Sequence, residues 1–206
     1  MGLFGRSGKG EPFDWLVVGL GNPGEKYART RHNVGEEALR LRAQRRSVTL
    51  KGGRDNSLVA ETRMPSAEGD QRVVLAFPIT FMNESGQAVS SLVRRYRIDS
   101  PAQIIVIQDE LDLPPGDLKI KEGGGLAGHN GLRSITQHLK SQDYLRVRIG
   151  VGKPEHKDVG RGHVLSKVPK AERELLDIEI ANAADAVELI VARGVDAAMQ
   201  RYNGKQ

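Results

Sequence analysis

Five short segments of the chain carry polar side chains of the kind that act in catalysis, each beside a glycine, a proline or the end of an apolar run. They are Asn22 in GLGNPG, His32 and Asn33 in TRHNVG, Asn83 in FMNESG, Asp109 in IIVIQDEL, and His129 and Asn130 in GGGLAGHNG. Taken singly, each has an ordinary explanation as a turn residue, a helix cap or a solvated side chain. Taken together, they supply imidazole, carboxylate and amide groups that could meet in one site.

The chemistry open to this set is narrow, because several common catalytic groups are missing from the sequence. There is no cysteine, which excludes a thiolate nucleophile and sulfur-ligated zinc, and no GxSxG, HxxxH or HExxH spacing. A histidine held by a carboxylate can act as a general base on water, with His32 and Asp109 as the pair. We expect a helix start near His32 to oppose its protonation. With amides to stabilise an oxyanion, the set indicates ester hydrolysis without a covalent intermediate.

The elements that carry these residues follow from hydrophobic periodicity. Apolar or alternating runs predict strands at WLVVGL, SLVAETRM, RVVLAF, QIIVIQDEL, DLKIKEGGG and LRVRIGVG, with helical spacing between several of them and from Pro169 to Ala192. This alternation predicts a single α/β domain with a mixed, mostly parallel, twisted sheet flanked by helices, spanning residues 14–206 after a flexible tail, 1–13. Because parallel strands end at one edge of a sheet, the polar segments can converge there.

The segment GLGNPG, from Gly19 to Gly24, also matches the GxGxxG spelling of a dinucleotide-binding turn, so a nicotinamide oxidoreductase is one alternative. Pro23 argues against it, because proline offers no N–H to a pyrophosphate and pushes Asn22 toward extended geometry. The chain then continues as the basic, helical ALRLRAQRR, where the fingerprint needs a strand ending in an acidic residue. We interpret the segment as a tight turn that presents Asn22.

The chain of 206 residues has a formal net charge of +5, which favours a polyanionic partner. Basic residues form three groups: Arg40, Arg42, Arg45, Arg46, Lys51 and Arg54; Arg94, Arg95 and Arg97; and Lys119, Lys121, Arg146 and Arg148. We interpret the first two groups as solvated faces. No apolar stretch is long enough to cross a membrane and the first residues lack the apolar core of a secretory signal, so we expect a cytoplasmic protein.

Four segments together resemble the bacterial-type peptidyl-tRNA hydrolase family. They are GLGNPGEKYARTRHNVG, FPITFMNESGQAV, QDELDLPPGDLKIKEGGGLAGHNGLRSI and LRVRIGVG, and the resemblance runs from about Trp15 to the last helix. It implies a monomeric α/β enzyme that needs no metal or cofactor. Such an enzyme cleaves the ester between a peptide and the 3′ ribose of tRNA, and so recycles tRNA after aborted translation.

The resemblance also implies roles for particular residues. His32 is the expected catalytic base, Asp109 its orienting partner, and Asn22 the residue that separates N-blocked from free aminoacyl groups. The expected substrate-binding residues, for the peptide backbone, the terminal adenosine or the attacking water, are Tyr27, Phe81, Met82, Asn83, His129 and Asn130. Lys121 and Arg148 match a basic pair that grips the tRNA 5′ phosphate.

Two residues depart from the family pattern. Gln108 stands where many members have histidine, and Ala127 stands in the glycine loop where glycine is frequent. Ala127 could stiffen that loop. A catalytically inactive RNA-binding relative of the same fold is the second alternative, although both His32 and Asp109 are present.

Overall fold

The structure, a computed structural model, describes residues 11–154 and 160–204. Within them the chain forms a seven-stranded sheet with helices on both faces. The strands are β1 (Trp15–Gly19), β2 (Lys51–Gly52), β3 (Ser57–Met64), β4 (Gln71–Pro78), β5 (Ile104–Glu110), β6 (Leu118–Glu122) and β7 (Leu145–Gly150). The helices are α1 (Val34–Arg45), α2 (Ser85–Tyr96), α3 (Asn130–Leu139), α4 (Gly160–Leu165), α5 (Lys170–Arg193) and α6 (Val195–Tyr202).

The sheet has the strand order β2-β3-β4-β1-β5-β7-β6. The four central strands, β4, β1, β5 and β7, are parallel, whereas β2, β3 and β6 are antiparallel to their neighbours. This confirms the predicted α/β class with a mixed sheet and a parallel centre. The carboxyl ends of β1 and β5 therefore lie side by side, which is where the sequence places Asn22 and Asp109.

The central strands are buried on both faces, as their continuous Val, Ile and Leu content predicts. Along β5, Ile105 and Ile107 belong to the core that packs against α1 and α5. Ile104 and Val106 point to the other core, against α2 and α3. The sheet is therefore a well-packed central layer, and it restrains the backbone of residues at its carboxyl edge.

Two glycines let α1 approach the sheet closely. A methyl group on Gly35 would lie 2.2 Å from the carbonyl oxygen of Ile107, and one on Gly19 would lie 2.4 Å from the carbonyl oxygen of Gly35. Neither contact is possible for a residue with a side chain, so glycine is required where α1 crosses β1 and β5. This crossing brings the residues before α1, including His32, to the end of β5.

The last long helix matches its prediction closely. The prediction ran from Pro169 to Ala192, and α5 has Pro169 as its N-cap and Gly194, with φ at +84°, as its C-cap. No helix among residues 11–154 and 160–204 is long and apolar enough to cross a membrane.

The predicted tail, residues 1–13, lies mostly outside the described residues, so its flexibility stays a prediction. Phe13 itself is buried, and its ring packs edge-on against Tyr96 with centroids 5.0 Å apart. The packed part of the chain therefore includes this last tail residue.

The first basic group is not simply a solvated face, which corrects its interpretation. Arg42 is 2% exposed, and its guanidinium donates to the Glu188 carboxylate at 2.6 Å. Arg45 pairs with Asp185 in the same way. These arginines join α1 to α5, so part of the charge that suggested a polyanionic partner is used inside the fold.

Candidate active site

Asp109 is the last residue but one of β5, and its carboxylate is buried where the strand reaches the sheet edge. Its Oδ1 oxygen contacts two imidazoles, Nδ1 of His32 at 2.8 Å and Nε2 of His129 at 3.0 Å. The two rings are 5.0 Å apart between centroids. Three residues from separate segments thus form one hydrogen-bonded cluster.

The electrostatics of the cluster keep its carboxylate ionised. Burial by itself raises the pKa of Asp109, but the neighbouring His32 and His129 outweigh this and hold the pKa well below its usual range. Burial lowers the pKa of His32, but the Asp109 charge and hydrogen bond outweigh it, so the pKa is raised. The expectation that a helix start keeps protonation of His32 unfavourable is therefore not met, because a carboxylate 2.8 Å away acts more strongly than the partial charge of a helix end.

An ionised Asp109 also determines the tautomer of His32. The carboxylate only accepts, so Nδ1 of His32 must carry the hydrogen, and Nε2 is left with a free lone pair. The ring lines the cavity described below, and no other described residue makes a hydrogen bond to Nε2. An unprotonated ring nitrogen beside a cavity is the arrangement that a general base requires.

His129 contacts Asp109 through Nε2, whereas His32 uses Nδ1. Its Nδ1 accepts the backbone N–H groups of Gly131 at 3.1 Å and Leu132 at 3.4 Å, so His129 is the N-cap of α3. Asn130 is the first residue of the helix and does not cap it. Because Nδ1 accepts, Nε2 carries the hydrogen and donates to Asp109. His129 therefore ties the start of α3 to the carboxylate.

The turn after β1 holds Asn22 in one orientation. Its side-chain oxygen accepts the backbone N–H of Met82 at 2.9 Å, so its NH₂ group is the free end beside the cavity. Asn33 holds the turn from the other side, since its Oδ1 accepts the N–H of Asn22 and its Nδ2 donates to the carbonyl of Asn22, both at 2.9 Å. Asn33 is one of the polar residues noted in TRHNVG, although the family resemblance implies no role for it.

These groups border a cavity of about 740 Å³. Nine of the sequence-predicted site residues line it: Asn22, Tyr27, His32, Phe81, Met82, Asn83, Asp109, His129 and Asn130. Met82 is buried in the wall, whereas Phe81 is 52% exposed at the rim. The cavity therefore combines the polar His32–Asp109–His129 cluster with apolar and aromatic side chains.

Several lining residues were missed by the sequence analysis. Glu110 and Leu111 follow Asp109 directly, and Val164 and Leu165 come from α4. The position of Glu110 next to Asp109 was a usable signal. Val164 and Leu165 carried none, because two aliphatic residues in a short helix look like ordinary core.

The two departures from the family pattern have different surroundings. Ala127 lines the cavity with φ at +48°, a left-handed conformation that an alanine adopts with some strain. Gln108 is buried, its Oε1 has no hydrogen-bond partner among the described residues, and it does not line the cavity. Ala127 is therefore the departure that touches the site.

Lys121 and Arg148 lie on the antiparallel pair β6–β7 and do not line the cavity. In the register of this pair Lys121 faces Arg146 and Lys119 faces Arg148, so all four side chains start from the same face of the sheet. Arg148 donates from Nε to the buried Glu110 carboxylate at 3.0 Å. We call the surface formed by Lys119, Lys121, Arg146 and Arg148 the basic face. Because Glu110 lines the cavity and binds Arg148, the basic face lies next to the cavity.

The ligand atoms of His32, Asp109 and His129 lie within 4.8 Å of one another, which is the kind of grouping that can hold a metal ion. In this arrangement one nitrogen of each ring is already used in a hydrogen bond to Asp109. A metal ion bound there would have to replace both hydrogen bonds. Independence of a metal stays a prediction.

Comparison with known proteins identifies the family. A family model described as peptidyl-tRNA hydrolase matches residues 16–206. The chain belongs to the peptidyl-tRNA hydrolase family. A peptidyl-tRNA hydrolase from Leifsonia xyli subsp. xyli is 49% identical over 189 residues, covering 92% of this chain and 96% of the relative. One from Chloroflexus aggregans is 44% identical, covering 92% and 98%.

Solved peptidyl-tRNA hydrolases have the same fold. The crystal structure of the enzyme from Acinetobacter baumannii has a TM-score of 0.84 to this chain at 39% identity, covering 96% of this chain and 99% of the other. The predicted family resemblance is thus confirmed by sequence and by structure over nearly the whole chain.

Proposed function

We propose that this chain hydrolyses the ester between a peptide, or an N-blocked amino acid, and the 3′ ribose of tRNA, and so releases free tRNA from peptidyl-tRNA that has left translation. The observation that carries the proposal is the hydrogen-bonded pair of His32 and Asp109 beside a cavity, in a member of the peptidyl-tRNA hydrolase family. The roles assigned below to individual residues are part of the same proposal.

His32 is the general base. Its Nε2 takes a proton from a water molecule as the water oxygen attacks the ester carbonyl carbon, and Asp109 stabilises the imidazolium that forms. When the tetrahedral intermediate collapses, the bond from carbon to the ribose oxygen breaks and His32 returns its proton to that oxygen. The products are a peptide, whose new carboxyl group releases its proton to solvent, and a tRNA with a free 3′ terminal ribose.

Asn22 donates to the substrate. Its oxygen is held by Met82, so its NH₂ group is available to the reacting carbonyl or to the carbonyl of an N-blocking group. A free aminoacyl group lacks that second carbonyl and carries a positive charge on its amine. Asn22 therefore supports discrimination in favour of N-blocked substrates.

The remaining lining residues bind the two ends of the substrate. Asn83 and Asn130 are exposed amides, just before α2 and at the start of α3, and suit peptide or adenosine hydrogen bonds. Tyr27 and the exposed ring of Phe81 offer flat surfaces on which a base of the tRNA end can stack. Met82 and His129 line the same cavity and complete the proposed set of substrate-binding residues.

Lys121 and Arg148 hold a phosphate away from the reacting ester. They start from one face of β6–β7, and the Arg148 Nε bond to Glu110 leaves its two terminal nitrogens for a phosphate. Such a contact positions tRNA without reading its sequence. The same proposal includes a chain divided into a tail, 1–13, and a catalytic domain, 14–206. It also includes a monomeric state, independence of metals and cofactors, a cytoplasmic location and a role in translation.

Neither alternative has a supporting observation. A dinucleotide turn would offer the N–H of Asn22 to a pyrophosphate, but Asn33 already accepts it. An inactive relative would have lost the base or its partner, whereas His32 and Asp109 are hydrogen-bonded.

The test is incubation of the purified chain with N-acetylaminoacyl-tRNA and with free aminoacyl-tRNA, following release of the amino acid. The proposal predicts metal-independent turnover, unaffected by chelator, that is faster on the N-blocked substrate. Binding of tRNA without turnover would favour the inactive relative and contradict the proposal.

A further inference from the structure

Arg146 is a buried cation in the middle of the basic face. It is 2% exposed, although it lies on β7 directly opposite Lys121. In the sequence it is one of four basic residues on two alternating strands, and arginines in proteins are mostly exposed. A buried guanidinium needs compensation, so its partners show what it does.

The partners of Arg146 are backbone carbonyls of the glycine loop, residues 123–128. Nη1 donates to the carbonyl of Gly125 at 2.7 Å and Nη2 donates to the carbonyl of Gly124 at 2.6 Å. The guanidinium carbon lies 4.9 Å from the ring centre of Tyr144, whose hydroxyl donates to the Leu132 carbonyl on α3 at 3.3 Å. Arg146 thus joins the loop to the sheet and to α3.

The glycine loop needs such support, because its backbone conformation is unusual. Gly123, Gly124, Ala127 and Gly128 all have positive φ, at +59°, +85°, +48° and +74°. Left-handed residues in close succession do not form a regular hydrogen-bonded structure, so contacts from outside must hold the loop. The next residue is His129, whose Nε2 donates to Asp109.

We propose that Arg146 is a positioning residue for hydrolysis: it holds the glycine loop so that His129 caps α3 and donates to Asp109. The inference rests on the proposed function, because it concerns the same site. Both terminal nitrogens of Arg146 are occupied by carbonyls, so its role differs from the phosphate contacts proposed for Lys121 and Arg148. The Lys121 stem covers Gly124, since a methyl group there would lie 2.7 Å from its Cε, so the loop also borders the phosphate-binding face.

The test compares Arg146→Lys and Arg146→Gln with the wild type. Neither side chain reproduces two parallel donors, although lysine keeps the charge. A matched control is Arg133→Lys, the same change at an exposed arginine on α3. The substrate is a short N-acetylaminoacyl CCA-end analogue, which has no distant phosphate. We expect kcat to fall by about ten- to a hundredfold in both variants, since small displacements of catalytic groups cost rates of that order.

A second readout is independent of turnover. In ¹⁵N spectra of the imidazoles, wild-type His129 should show a hydrogen on Nε2 and an accepting Nδ1, and both Arg146 variants should lose this signature while the control keeps it. Thermal unfolding checks the fold of each variant.

The remaining outcomes overturn the proposal. Unchanged kcat and an unchanged His129 signature would show that the loop holds without Arg146. A rise in KM for intact tRNA alone would make Arg146 a phosphate ligand, and failure of both variants to fold would make it a residue of the fold. If the wild type itself does not hydrolyse N-acetylaminoacyl-tRNA, the proposed function fails, while the spectra still test the positioning by Arg146.

Discussion

The side-chain oxygen of Asn22 accepts a hydrogen bond from the backbone N–H of Met82, at 2.9 Å. The contact joins the turn after β1 to the segment before α2, so it fixes the positions of two cavity-lining segments relative to each other. It also separates the two ends of the amide, because the oxygen is used and the NH₂ group is free. Because of this orientation, the contribution of the Asn22 NH₂ group can be tested by a substitution that removes the donor and keeps an oxygen to accept from Met82.

Asn22→Asp keeps an acceptor for Met82 and removes the donor. We expect the rate on N-acetylaminoacyl-tRNA to fall by roughly 10²–10³-fold, the usual effect of losing an oxyanion donor. We also expect the preference over free aminoacyl-tRNA to weaken. The measurement is kcat/KM on both substrates, with Asn22→Ala in parallel. An equal loss on both substrates would mean that Asn22 only supports the turn.

The pH dependence follows from the raised pKa of His32. The base acts in its neutral form, so kcat/KM should rise with pH through a pKa above the ordinary value of about 6.5. In Asp109→Asn the carboxylate no longer raises the pKa while burial still lowers it, so this acidic limb should move to lower pH. The plateau should fall by roughly 10²–10⁴-fold, because an amide can donate to Nδ1 and favour the wrong tautomer. Spontaneous ester hydrolysis is subtracted at each pH, and an unmoved limb would argue against the pairing.

Gly35→Ala tests the close approach of α1 to the sheet. The added methyl would lie 2.2 Å from the carbonyl of Ile107, so α1 must move and carry His32 with it. We expect a loss of about 1–3 kcal/mol in the free energy of unfolding, the usual range for overpacking, and lower kcat in the molecules that remain folded. The matched control is Gly52→Ala on β2, where a methyl meets no atom within 4 Å. Chemical unfolding measures both, and equal stability of the two variants would contradict the packing argument.

Much of the site was predictable because its residues have chemical types that stand out beside glycines and strand ends. The fold class followed from strand periodicity, and the convergence at the end of β5 followed from parallel topology. Asn22, His32 and Asp109 are therefore where the sequence analysis expected polar groups to meet.

The features that could not be predicted depend on long-range contacts. The burial of Arg146 could not be predicted, because strand alternation does not reveal that a distant loop covers one end of β7. The raised pKa of His32 required the distance to Asp109 and not merely the presence of both residues. Val164 and Leu165 reach the cavity only through the packing of α4, for which their side chains carry no signal.

Lys121→Ala should raise KM for intact peptidyl-tRNA and reduce the slope of log KM against log salt by roughly one unit, as for one lost phosphate contact. Hydrolysis of the short CCA-end analogue should stay near the wild-type rate, because that substrate has no distant phosphate. Equal effects on both substrates would indicate a defect of the fold.

Arg148→Ala should differ from Lys121→Ala, since Arg148 also neutralises the buried Glu110. Removing it leaves a carboxylate unpaired in the cavity wall, so we expect lower thermal stability and slower cleavage of the analogue as well. Adding Glu110→Gln to Arg148→Ala should recover part of the stability. If the double variant recovers none of the lost stability, the unpaired Glu110 carboxylate is not the cause of the loss.

The central claim is that His32 is the base, and single-turnover hydrolysis of N-acetylaminoacyl-tRNA by His32→Ala tests it most directly. With tRNA binding and thermal unfolding measured on the same sample, we predict a rate lower by about 10²–10⁴-fold while binding and folding stay near wild type. A near-normal rate of ester cleavage by His32→Ala would contradict the assignment of His32 as the base.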